Sequence, residues 1–103
     1  MIADAAAPAR TAEETSIRDV LAAFIEARNK HDAYAFSMLF AEDADFTNVR
    51  GIGAHGRTEI AAFHAPVFAT VFIDSHQKIV DERIRFIKPD VAAVDAWWQK
   101  DFR

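Results

Sequence analysis

The residues best suited to chemistry in this chain are four histidines, at positions 31, 55, 64 and 76, and one carboxylate, Asp95, set in an apolar stretch. Histidine changes charge close to neutral pH, which suits proton transfer. His55 sits in a glycine-rich segment and is either a general acid–base candidate or an ordinary loop histidine in water. His64 follows Phe63 in a helical pattern; it either points into the interior or is a partly buried helix histidine satisfied by a neighbour. His31 and His76 read as surface residues. Asp95 has three readings: a base with a raised pKa, a strand residue paired with Arg83 or Arg85 across a hairpin, or part of a dimer interface. The pairing is preferred, because opposite charges across strands commonly stabilise a sheet.

Other chemistries lack their residues. Cysteine is absent, which excludes thiol catalysis, disulfides and cysteine-ligated zinc, and fits a cytoplasmic protein. The histidines are scattered, with no HExxH and no close pair on one helix face, so neither a metal nor another cofactor is expected. No GxSxG nucleophile turn is present. Gly51, Gly53 and Gly56 are the only glycines, but no GK[ST] follows them and no GxGxxG joins strand to helix. They read as a shaped turn and not as a phosphate loop. A formal charge of −4, with both signs interspersed, leaves no basic stripe for nucleic acid. The apolar runs are far short of a membrane span.

The elements that must position these residues follow from hydrophobic spacing. A chain of 103 residues, 51% hydrophobic with nine phenylalanines, has material for one core and is no disordered segment. Residues 1–10 read as a flexible leader and 11–103 as a single domain. Thr11 and Glu14 have capping-box spacing. Behind them Ile17, Val20, Leu21, Phe24 and Ile25 make one apolar stripe on a helix to about Lys30, with Arg18, Glu26, Arg28 and Lys30 on its wet sides. Asp32 caps a shorter helix through Phe40, bearing Phe36, Leu39 and Phe40. A short strand is expected over 46–50, then the glycine turn. A third helix starts at Thr58 and carries Ile60, Phe63, Val67, Phe68 and Val71, with a kink or division at Pro66. From Asp74 the period becomes two: a long strand over 75–87, bulged around Asp81 to Arg83, a turn at Lys88, Pro89 and Asp90, and a return strand over 91–102. Ala92, Val94, Ala96 and Trp98 share the face expected to meet the helices; Val91, Ala93, Asp95, Trp97 and Gln99 share the other.

This order of elements, with the segments ARNKHDAYAFSMLFAEDADF, GIGAHGRTEIAAFH and RIRFIKPDVAAVDAWW, resembles the SnoaL-like group of the nuclear transport factor 2-like (ketosteroid isomerase-like) superfamily, especially SgcJ/EcaC-type members. The resemblance runs from about Thr11 to the last residue. It implies an α+β fold, a cone in which N-terminal helices pack on a curved antiparallel sheet, with a small, mostly apolar ligand pocket. On this alignment Phe24, Phe46, Asn48 and Trp98 line that pocket, and Trp97 lies in a homodimer interface on the sheet's outer face. Family members usually continue with two or three further strands, so the domain is expected to be C-terminally incomplete, with an edge that either truncation or a partner chain explains. Steroid isomerisation needs an aspartate base and an oxyanion hole of tyrosine and protonated aspartic acid. The resemblance puts Phe24 where the tyrosine belongs and Asn48 at or near the base, so that mechanism is not expected. The functional alternatives are a non-catalytic pocket or dimerisation module of unknown ligand and a lyase, isomerase or cyclase of a biosynthetic pathway.

Overall fold

The computed structural model describes residues 7–70 and 75–102, with side chains from residue 11 to residue 101. In chain order it forms α1 (Ala7–Asn29), α2 (Ala33–Ser37), β1 (Asp45–Thr47), β2 (Gly53–His55), α3 (Gly56–Ala69), β3 (Ser75–Lys88) and β4 (Val91–Phe102). Strands β1 and β2 pair antiparallel, as do β3 and β4, giving two separate ribbons against which the helices pack. The class is α+β, as expected. Val71, Asp74 and residues 1–6 of the expected leader lie outside the described residues.

Helix α1 starts earlier than the capping signal suggested. It already runs through Ala7, so Thr11 lies inside it and its carbonyl accepts from Thr15 Oγ1 at 3.1 Å. An alanine-rich start has high helix propensity and needs no box to begin. The helix ends at Asn29, and His31 takes a left-handed φ of 57° that turns the chain away. Asp32 then caps α2 as expected, Oδ1 accepting from Ala35 N at 2.9 Å. That helix is one short turn, and the chain continues to Phe40 in further turns.

Strand β1 is shorter than the expected 46–50 because Asn48 starts the turn. Its Oδ1 accepts from the amides of Arg50 and Ile52, both at 2.9 Å. The last glycines are therefore not all turn: Gly53 begins β2, a strand that sequence reading missed. Gly56 has φ 78°, its amide donates to Ala44 O at 2.8 Å, and a Cβ built there would meet Glu42 O at 3.2 Å. Gly51 has φ 79° but open space around it. Replacing either by alanine imposes left-handed strain of about 1–2 kcal/mol. Gly56→Ala adds a backbone clash, so its urea midpoint is expected to fall further than that of Gly51→Ala.

Of the kink or division expected at Pro66, the division is not found. The helix is continuous over Gly56–Ala69. Ile60, His64 and Phe68, at four-residue spacing on both sides of the proline, are all buried and hold the two halves to one core. Besides an irregularity between Phe86 and Lys88, the long hairpin has a bulge between Ile79 and Asp81, just before its expected place. It switches the inward set from Ser75, Gln77 and Ile79 to Glu82, Ile84 and Phe86.

Among the described residues the buried apolar core is Ala27, Phe36, Ala54, Ile60 and Phe68. It gathers where the end of α1 meets α2 and α3. The radius of gyration is 15.7 Å, against roughly 13 Å for a compact chain of this length.

Candidate functional site

Phe36 is fully buried and is the hub of an aromatic cluster. Its ring centroid lies 4.9 Å from Phe24, 5.2 Å from Phe40, 5.5 Å from Phe68 and 4.5 Å from the His64 imidazole. Phe46 closes the other side of His64 at 4.6 Å, and Trp98 stands 6.0 Å from Phe24 toward the surface. Tilted and edge contacts of this kind add to simple burial.

Four polar side chains, Arg28, Asn29, His64 and Gln77, are set into or against this cluster. The Arg28 guanidinium lies 5.6–5.7 Å from the Phe24, Phe36 and Phe68 ring centroids. Burial lowers its pKa, yet guanidinium remains charged. Its Nε donates to Gln77 Oε1 at 3.0 Å. Asn29, the next residue, clamps the Gln77 backbone: Nδ2 donates to Gln77 O at 2.8 Å and Oδ1 accepts from Gln77 N at 2.6 Å. The last turn of α1 is thereby fastened to the start of β3.

His64 is buried, with Nδ1 2.7 Å from Ile60 O. A carbonyl only accepts, so Nδ1 carries the proton and Nε2 the lone pair. Burial pushes its pKa down, the bond to Ile60 opposes this, and the Arg28 charge adds to it. Lys100, opposite Gln77 on β4, is likewise lowered by burial and then by Arg28.

Between α1 and the long hairpin the apolar faces stand apart and leave open clefts. One, of about 480 Å³, is walled by Leu21, Phe24, Ile79, Val94, Ala96 and Trp98, with Asp95 and Trp97 at its rim. A second, of about 590 Å³, lies between the first half of α1 and the far end of the hairpin. The structure thus brings Phe24 and Trp98 together in one cleft. Phe46 sits beyond Phe36 in the aromatic cluster, and Asn48 spends its side-chain oxygen on the β1–β2 turn. Trp97 is half-exposed on the opposite hairpin face.

The acid–base candidates do not converge. Asp95 pairs across the hairpin with Arg83, Nη2 to Oδ2 at 3.3 Å, on the outer face. His55 is exposed and its Nδ1 lies 2.6 Å from Asp45 Oδ1, its register partner on β1. His31 and His76, read as surface residues, are half-buried. Among the described residues no group of three or more potential metal ligands gathers, and no helix is long and apolar enough to cross a membrane.

Sequence reading missed Arg28, Asn29, Gln77 and Asp45. Gln77 alone left a signal, since it shares the inward parity of Ile79. Arg28 was assigned to a wet side and is buried instead, because its guanidinium stacks on rings contributed by three helices.

The two histidines are expected to titrate on opposite sides of the ordinary value of 6.5. Asp45 raises His55 through its hydrogen bond and its charge, so the stability this pair contributes is complete below 6.5 and is lost as pH rises through the raised value. His64 folds neutral; its contribution is complete above 6.5 and is lost as pH falls toward the lowered value. An NMR titration of the imidazoles checks both, with Asp45→Asn expected to lower the His55 midpoint and leave His64 in place.

Solved structures share this overall fold. A domain of unknown function from Nostoc punctiforme superposes with a TM-score of 0.82 at 32% identity, over 89% of this chain and 57% of that one. Its fold is described as cystatin-like. An NTF2-like protein with a cystatin-like fold from Novosphingobium aromaticivorans gives 0.68 at 25%, over 93% and 66%. The chain has the NTF2-like, cystatin-like fold. An uncharacterised cystatin-like protein from Caulobacter vibrioides gives 0.79 at 27%, over 85% and 62%. This NTF2-like chain thus spans less than two thirds of the length of each of these structures. No protein-family model matches it, and neither does any curated protein.

Proposed function

We propose that this NTF2-like domain, of the SnoaL-like, SgcJ/EcaC kind, is a cytoplasmic pocket protein that binds a small, mostly apolar molecule between α1 and the long hairpin. The observation that carries this is the cleft walled by Phe24 and Trp98, an apolar concavity with Asp95 among its lining residues. Such a combination is the usual form of a small-molecule site, where apolar walls give affinity and a few polar groups give orientation. The outer hairpin face, with half-exposed Trp97, Val91 and Ile87, supports a homodimer through that face. Sedimentation at micromolar concentration tests the dimer, and Trp97→Glu is expected to give monomers.

Binding is tested by titrating the protein with 3-phenylpropan-1-ol, a neutral arylalkyl probe, and following amide and side-chain NMR signals. Saturable shifts focused on Leu21, Phe24, Ile79 and Trp98 are expected. Shifts scattered over the surface, or none, would reject the cleft.

A lyase, isomerase or cyclase is favoured by one observation, the His64 tautomer. With Nδ1–H tied to Ile60, Nε2 has the lone pair a general base needs, and the lowered pKa keeps it unprotonated at pH 7. Phe36 separates His64 from Phe24 and the cleft, so this reading requires the Phe36 ring to move. A product formed from a candidate substrate by the native chain, and lost in His64→Gln with binding retained, is its test.

A further inference from the structure

The two clefts along α1 adjoin, since Leu21 and Val94 line both. Together they make one trough. Its helix wall is the stripe from Ala12 to Phe24, and its strand wall runs from Val91 to Trp98. That stretch of helix rises about 18 Å and that stretch of strand about 23 Å, so the trough is about 20 Å long. Either cleft alone spans about 13 Å, from Ala12 to Leu21 or from Val94 to Trp98.

The apolar residues along the trough are short of partners. Spacing puts Ile17, Val20 and Leu21 on a face that should meet a core. Yet none of the three belongs to the buried core or packs against it among the described residues. Val20 is 50% exposed and Trp98 41%. The Phe24 and Trp98 centroids are 6.0 Å apart, so these rings touch each other and form one continuous wall. An elongated apolar surface of this kind fits an extended chain lying along it.

Charge restricts the occupant further. The charged residues that line the trough, Glu13, Asp90 and Asp95, are all acidic. Asp95 pairs with Arg83 at 3.3 Å and Asp90 with Lys88 at 3.8 Å, but neither cation lines the trough. Glu13 and Asp90 both belong to the hairpin-end cleft, where an anionic head is repelled and a cationic one attracted.

We propose that the trough receives one long-chain alkylammonium ion, its chain extended along the α1 stripe to Phe24 and Trp98 and its head beside Glu13 and Asp90. The assignment rests on the reading of the Phe24–Trp98 cleft as a ligand site, and adds that the site continues into its neighbour and takes an amphiphile. An extended alkyl chain advances about 1.25 Å per carbon, from bonds of about 1.5 Å at near-tetrahedral angles. One cleft therefore holds about ten carbons and the whole trough about sixteen.

Isothermal titration of the full chain with octyl-, decyl-, dodecyl- and tetradecylammonium, each below its micelle-forming concentration, tests this. One molecule is expected to bind per chain, with affinity rising at least about twofold per methylene through tetradecyl. Dodecanoate is expected to bind about fivefold weaker than dodecylammonium. Ser16→Trp fills the hairpin-end cleft and should level the series at decyl. A native series that already levels at decyl overturns the continuous trough and leaves the Phe24–Trp98 cleft standing. Dodecanoate binding as tightly as dodecylammonium overturns the cationic head, and unsaturable uptake of several molecules per chain overturns the site. A dimer that dissociates as the amine binds, seen by sedimentation, assigns the trough to a second copy and overturns the proposal. So does the absence of binding by every amine; the response to 3-phenylpropan-1-ol then decides the cleft reading separately. Should Ser16→Trp fail to fold, the chain-length series on the native protein decides alone.

Discussion

Phe36→Ala is expected to lower the stability of this domain by about 3–5 kcal/mol, the range for removing a fully buried large aromatic side chain. Domains of this size are stable by roughly 5–15 kcal/mol in total, so the variant sits near the edge of folding. The reason lies in how few residues share the load. Only Ala27, Phe36, Ala54, Ile60 and Phe68 form the buried apolar core among the described residues, and Phe36 contacts rings from α1, α3 and β1 as well as its own segment. Its loss leaves a cavity bordered by the Arg28 guanidinium and the His64 imidazole, both of which would then face a void or water. Relaxation into such a hole is limited, because Asn29 and Arg28 fasten α1 to β3 at that level. Chemical denaturation with Phe36→Leu as the milder control measures the effect; a drop below about 1 kcal/mol would mean the core lies elsewhere.

Asn29→Ala should cost about 2–4 kcal/mol, although it deletes only an amide. Both Asn29 bonds end on the backbone of Gln77, at 2.6 and 2.8 Å, and both are partly buried. Removing the side chain orphans one backbone donor and one backbone acceptor together, and each unmade bond carries its own desolvation penalty. Alanine's better helix propensity returns only about 0.5 kcal/mol at the end of α1. Asn29→Asp separates the two bonds, since its carboxylate still accepts from Gln77 N but cannot donate to Gln77 O. It is expected to retain part of the stability that alanine loses. Hydrogen exchange at Gln77 should accelerate in both variants, because the clamp holds that amide shut.

What could be read from the sequence was what local spacing dictates. The α1 stripe, the Asp32 cap, the turn at Lys88 to Asp90 and the Asp95–Arg83 pair each follow from residues near one another in sequence or register. The inward face of β4 was legible for the same reason, and it led directly to Trp98 beside Phe24. Arg28 was not legible, because a charged residue flanking a helical stripe normally faces water. Its burial depends on rings brought from α2 and α3 and on an amide from β3, none of which are close in sequence. The continuity of α3 through Pro66 was hidden likewise: proline's local penalty was visible, but the packing of Ile60, His64 and Phe68 that outweighs it was not. β2 was concealed within the glycine segment, since strand pairing there depends on β1 and the Asn48 turn rather than on strand propensity.

The central claim is that Phe24 and Trp98 wall a true ligand site. It is tested most directly by the fluorescence of Trp98 alone, in a Trp97→Phe background, during titration with 3-phenylpropan-1-ol. Trp98 is 41% exposed in the open cleft, so an apolar ring seated against it excludes water from the indole. The account expects a saturable blue shift of Trp98 emission that disappears in Leu21→Trp read by difference, where the added indole fills the cleft. Emission that stays constant across the titration, or changes linearly without saturation, would contradict it.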